Sequence, residues 1–226
     1  HPPPRLDSSA ASDVYKRQVE TMRQAALEVL ERGKFLLSIG GDHAVSIGPA
    51  VAAAELYPGI GVLQVDAHMD LRDRWNGSRF NHACVMRRLV ADHGLPAVQV
   101  GIRSFSRGEA RFARRQAAVR TFLAHEIDPV DSGWIARVVA ALPPRVYLTI
   151  DLDGLDPSVL PGTGTPEPGG LSYRQLLGLL AAVGRERTVV AADIVELVKI
   201  PGQQISEFTA ARISAKIMVH CGPKGS

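Results

Sequence analysis

The stretch GIGVLQVDAHMDLRD (Gly59–Asp73) decides the fold. Its first seven residues are an apolar run interrupted only by Gln64, short enough for a buried strand and bounded by glycine and aspartate. Successive strand residues point to opposite faces, so a strand apolar at every position is covered on both sides. Where it stops, Asp66, His68 and Asp70 follow at alternate positions and leave in one direction. Carboxylates gathered this closely repel one another, and a cation between them relieves that repulsion.

The same pattern recurs along the chain. FLLSIGG (35–41) runs into Asp42 and His43, and RVYLTID (145–151) ends in Asp151 with Asp153 two residues on. Further strands are read at 97–103, 119–125 and 188–196. Helical spacing marks 19–34, 46–58, 82–94, 107–116, 131–143, 172–185 and 205–220. Strands alternating with helices over the whole length predict an α/β fold, a parallel sheet with helices on both faces. In such sheets ligands gather at the carboxyl ends of the strands. Three strand endings would therefore bring two histidines and, besides Asp42, four closely spaced carboxylates to one edge. Mixed His and carboxylate donors suit manganese-type divalent metals, and six of them exceed the needs of a single three-ligand zinc. Two metals bridged by carboxylates would use all six.

Composition sets limits. The 226 residues, 46% hydrophobic and 22% charged, suit one domain, and no apolar run is long enough to span a membrane. Two cysteines, Cys84 and Cys221, make no disulfide framework and fit a reducing cytoplasm. A net charge of +3 and arginines clustered between Arg103 and Arg120 without interleaved aromatics do not suggest a nucleic-acid binder. The opening HPPPRLDSSAASDVYKRQ (1–18) resembles translated sequencing-adapter read-through or a disordered tail, which sets the domain at 19–226.

The blocks GGDHAVSIG (40–48), VDAHMDLRD (65–73), NHACVMRRL (81–89), TIDLDGLDP (149–157), PGTGTPEPGGL (161–171) and DIVEL (193–197) together resemble the ureohydrolase family of arginases and agmatinases. The resemblance implies a three-layer arginase-like fold, here without the family's first strand region, and a di-manganese centre. Carried over by position, His43, Asp66, Asp70 and Asp151 would hold one metal. His68, Asp66, Asp151 and Asp153 would hold the other. A guanidinium carbon is a poor electrophile, and two divalent cations acidify water enough to attack it near neutral pH. Glu196 matches the carboxylate that faces the guanidinium fork, and His82 matches the proton-shuttling histidine, although Ala83 follows it where the family often has glycine. Thr165 and Glu167, in the loop bordering the site, would approach the substrate's tail. The glycines of that loop lack the spacing and lysine of a phosphate loop.

Arginases carry an Asn-bearing block to grip an α-amino acid head, and RWNGSRFNHAC (74–84) lacks its pattern. The reading is thus agmatinase-like: agmatine and water giving putrescine and urea in a cytoplasmic enzyme of polyamine biosynthesis, a trimer or hexamer by resemblance. Guanidinobutyrate, arginine or formiminoglutamate as substrate, and an inactive truncated fragment, are the alternatives. Val198 and Lys199, which follow DIVEL, depart from the family's pattern at the pocket rim.

Overall fold

The computed structural model describes residues 8–128 and 130–223. The strands are β1 (Leu36–Ile39), β2 (Gly61–Val65), β3 (Ala97–Ile102), β4 (Val119–Leu123), β5 (Arg145–Asp151) and β6 (Thr188–Val195). They form one parallel sheet in the order β1-β6-β5-β2-β3-β4.

Side chains alternate between two cores. Leu63, Val65, Leu148 and Ile150 join a cluster with Trp134 and Val138 of α5 (Gly133–Ala141), Leu176 and Leu180 of α6 (Tyr173–Glu186), and Ile213 and Ile217 of α7 (Ile205–Cys221). Val62 and Tyr147 face the opposite way, toward Leu30 of α1 (Ser8–Leu30), Ala50 of α2 (Ile47–Leu56), and Val85 and Met86 of α3 (Val85–Arg87). Phe112 of α4 (Arg107–Arg115) packs against that second cluster. The result is the expected three layers, each face of the sheet shedding its apolar area against helices. None of the described helices is long and apolar enough to cross a membrane.

Three local differences have physical reasons. The first helix begins at Ser8 rather than Val19, so it covers residues 8–18, while residues 1–7 lie outside the described residues. Its packing on α2 depends on Gly48, where a Cβ would sit 2.7 Å from the Arg23 nitrogen, and Arg23 adds an ion pair to Glu55 at 2.9 Å. The helix read over 82–94 is broken into a 3-10 turn (His82–Cys84), one α turn and a π turn (Arg88–Asp92). Arg88 is buried there, bonded to Asp73 at 2.6 Å and to Asp92 at 3.0 Å, and these bonds accompany the widened turn. Before α2 the chain makes a 3-10 turn, His43–Ser46, capped by the Asp42 carboxylate on the Ala44 N–H at 2.7 Å.

Candidate metal centre and active-site cleft

Parallel pairing places the ends of β1, β2, β5 and β6 on one edge of the sheet, and that edge carries the polar clusters. Asp151 terminates β5, with Asp153 in the 3-10 turn that follows; Asp66, His68 and Asp70 continue β2; Glu196 follows β6. Gly154 lets the turn after β5 press on β2, because a Cβ there would meet the Asp66 nitrogen at 2.8 Å.

Besides Asp42, His82 and Glu196, which also come together, two groups of ligand-type atoms share Asp66 among the described residues. In the first, His43 Nδ1 lies 2.9 Å from Asp70, 3.2 Å from Asp66 Oδ2 and 3.3 Å from Asp151 Oδ2. In the second, His68 Nδ1 lies 3.0 Å from Asp153 Oδ2 and 3.6 Å from Asp66 Oδ1. Asp66 is thus common to both, one oxygen to each. Asp151, expected to reach both groups, uses its Oδ1 to accept the Asp153 N–H at 2.9 Å.

The electrostatics of this edge are those of crowded anions. Burial and the charge of Asp66 push the Asp70 carboxyl up to about 7 and raise that of Asp151 well above the carboxylate range. Burial opposes charge on His43 and His68, but the carboxylates around them outweigh it and raise both imidazoles, His68 to about 11. Fully buried His43 Nδ1 makes no hydrogen bond of acceptable geometry among the described residues, although three carboxylates crowd it. A hard, anionic donor set around such an atom fits a divalent cation, so these residues suit the metal pair that the motifs imply. The other ring nitrogen, Nε2, bonds Thr149 Oγ1 at 2.9 Å, which leaves Nδ1 to face the cluster.

The clusters open into a cleft of about 530 Å³ whose lining includes His82, Thr165 and Glu196. Glu196 has φ +65° and Asp70 φ +52°, strained values for residues with side chains, and both stand at the cleft. Glu196 Oε1 accepts the His43 N–H at 2.8 Å, and burial raises its carboxyl. His82 Nδ1 lies 3.2 Å from Asp42 Oδ2, and that hydrogen bond raises the imidazole. Thr165 Oγ1 donates to Asp153 Oδ2 at 3.0 Å.

Glu167 is not among the cleft-lining residues. Arg103 holds the carbonyls of Glu167 at 2.6 Å and Pro168 at 3.1 Å, together with the Asp153 carbonyl at 2.6 Å, and so fixes the course of the loop there. Cys84 is fully buried, burial pushing its thiol up to about 11, in keeping with a packing role.

The arginase family model matches residues 6–220. The chain belongs to the arginase family. It is 45% identical over 196 residues to an N(1)-aminopropylagmatine ureohydrolase of Thermus thermophilus, covering 85% of this chain and 64% of that protein. An agmatinase of Pyrococcus horikoshii is 33% identical over 92% of this chain and 68% of its own length. Among solved structures, the agmatine ureohydrolase of Thermoplasma volcanium superposes with a TM-score of 0.81 at 28% identity, covering 91% of this chain and 69% of that one. This chain therefore spans slightly less than two thirds of the aminopropylagmatine ureohydrolases it resembles.

Within this arginase-family chain the structure adds residues that the motifs did not single out. Arg103 clamps the loop that carries Glu167 and Pro168, and its only signal in the sequence was an arginine at the end of an apolar strand. Gln64 and Gln99 are buried side by side beneath Asp66, and each interrupts an otherwise apolar strand. Trp75 and Phe105 line the cleft while remaining 39% and 42% exposed, and the Arg72 guanidinium stacks on the Trp75 ring at 3.8 Å.

Proposed function

We propose that this protein is a ureohydrolase that releases urea from agmatine or an agmatine extended at its amine end, away from the guanidino group, using two manganese ions. The observation carrying this reading is the sharing of Asp66 between two His–carboxylate groups at the floor of a cleft that Glu196 also lines. His43, Asp66, Asp70 and Asp151 would hold one ion, and Asp66, His68 and Asp153 the other. When bound, the metal pair supplies acidified water and positive charge for attack on the guanidinium carbon.

The chain's own side chains do the rest. Glu196 has Oε1 engaged by the His43 N–H, which leaves Oε2 for the guanidinium fork. With Nδ1–H donated to Asp42, the His82 ring presents Nε2 to the cleft. As the C–N bond breaks, the departing amine takes a proton from His82, while the guanidinium carbon, carrying the oxygen gained from water, leaves as urea. Thr165 steadies Asp153 from the loop above. Trp75 and Phe105 offer apolar and π surface to a polymethylene tail carrying a distal amine.

The names of the relatives support an agmatine-type substrate and favour testing the aminopropyl form beside agmatine. The experiment is urea release by the Mn2+-loaded chain offered agmatine, N1-aminopropylagmatine, arginine and guanidinobutyrate in parallel. Urea from either of the first two is expected. Turnover only of arginine or guanidinobutyrate overturns the substrate assignment, and a C–N cleavage product other than urea overturns the reaction. The same preparation, run by size exclusion with light scattering, tests assembly as a trimer or hexamer.

A further inference from the structure

One row of residues runs in register across all six strands: Ser38, Asp193, Thr149, Gln64, Gln99 and Thr121. It lies just below the cluster of ligand-type side chains, in a sheet whose neighbouring positions, Arg120 apart, are apolar. Gln64, Gln99, Thr149 and Asp193 are completely buried. Burying uncharged polar groups in such a place is costly unless each finds a partner.

The partners on the β2–β4 side form a chain with one direction. Thr121 Oγ1 donates to Gln99 Oε1 at 3.0 Å. Gln99 Nε2 donates to Gln64 Oε1 at 2.6 Å and to the Met69 carbonyl at 2.7 Å. Gln64 Nε2 donates to Asp66 Oδ2 at 2.6 Å and to the His68 carbonyl at 3.3 Å. An ionised carboxylate and two carbonyls only accept, so neither amide can be turned round and the donors all run toward Asp66. From its other side Asp66 Oδ1 accepts the His68 N–H at 2.6 Å. Each oxygen of Asp66 is therefore held by one neutral donor and keeps a lone pair for its own cluster. A lysine or arginine in place of Gln64 would hold the carboxylate too, but would also cancel its charge.

We propose that Thr121, Gln99 and Gln64 form a positioning relay that orients the Asp66 carboxylate, without neutralising it, for the two cations it would share. This rests on the metal reading given above. Groups that orient a ligand in this way typically change metal affinity 10- to 100-fold when removed.

The test is Mn2+ binding by the full chain, followed by calorimetry and by the EPR signal of a coupled manganese pair. Gln99→Leu should weaken Mn2+ binding about 10- to 100-fold and diminish the coupled signal. Thr121→Val, nearly isosteric and far from either cluster, should weaken it a few-fold in the same direction, and Thr121→Ser should restore it. Wild-type affinity in both folded variants overturns the relay. If Gln99→Leu does not fold, Thr121→Val decides alone. If the wild-type chain takes up no manganese, the metal reading fails, and the relay is judged in the metal-free protein by NMR of the Gln64 side-chain amide. Slow exchange that accelerates in Thr121→Val upholds it, and no change between the two overturns it.

Discussion

Glu196 and His43 are joined across 153 residues of sequence by a hydrogen bond of 2.8 Å, from the His43 N–H to Glu196 Oε1. The Glu196 N–H in turn donates to the Gly41 carbonyl at 2.8 Å, so the ends of β1 and β6 lock to each other at the edge of the site. One carboxylate oxygen thus serves the fold and the other serves the cleft. Glu196→Gln separates the two roles, since the amide oxygen can still accept from His43. We expect a melting temperature within about 2 °C of wild type, and kcat/KM for urea release lowered by about 2–4 kcal/mol, roughly 30- to 1000-fold, from the lost charge opposite the guanidinium. Steady-state urea assays beside thermal melts check it, and undiminished turnover would remove Glu196 from the site.

Asp66 belongs to both ligand groups, Asp70 only to the first and His68 only to the second. Metal content should reflect that sharing. Asp66→Asn should retain less than one manganese per chain after gel filtration, whereas Asp70→Asn and His68→Ala should each keep about one. Elemental analysis gives the counts, and equal losses in all three variants would contradict the division into two groups.

The metal-free protein should lose stability as pH rises. The His68 imidazolium is held up to about 11 because Asp153 and Asp66 outweigh its burial, against an ordinary value of 6.5. A group whose folded value is raised binds protons more tightly in the folded chain, so its contribution is complete below about pH 6.5 and disappears as pH climbs through about 11. Asp70, raised by burial to about 7 from 3.8, acts with the same sign in a lower window. Melting temperatures in EDTA should fall steadily from pH 7 to 10. Saturating Mn2+ should flatten the dependence, because metal takes the place of the proton, and its uptake should release protons measurable by calorimetry in buffers of different ionisation enthalpy.

Gly154 is needed for contact rather than for backbone conformation. A methyl group there would stand 2.8 Å from the Asp66 nitrogen and 3.0 Å from its Cα, so the turn carrying Asp153 would have to lift away from β2. Gly154→Ala should cost about 1–3 kcal/mol and weaken metal retention. Gly108→Ala, in α4 with its nearest neighbour at 3.7 Å, should be neutral or stabilising by up to about 1 kcal/mol. Chemical denaturation of the two variants separates the effects.

Much of the architecture was legible because each strand is a short apolar run ended by turn or ligand residues. All six strands and their parallel arrangement follow the expected pattern, with boundaries differing by a few residues at most. The π turn at Arg88–Asp92 was not legible, because a buried arginine is recognised only when Asp73, fifteen residues away, is seen to meet it. Gln64 and Gln99 read as single interruptions in two strands, and only register places them against each other. The gathering of His43, Asp66, His68, Asp70, Asp151 and Asp153 at one edge was legible, since in a parallel sheet every strand end points the same way.

The sequence by itself determined the layered α/β fold, the family, and the residue types that line the edge of the sheet, because period and spacing are local properties. The tertiary structure decided which atoms meet. It gave one oxygen of Asp66 to each histidine, tied His82 to Asp42, and fastened the Glu167 carbonyl to Arg103. These meetings depend on register, on Gly154's close contact with Asp66 and on the packing of two cores, all of which join residues far apart in the sequence.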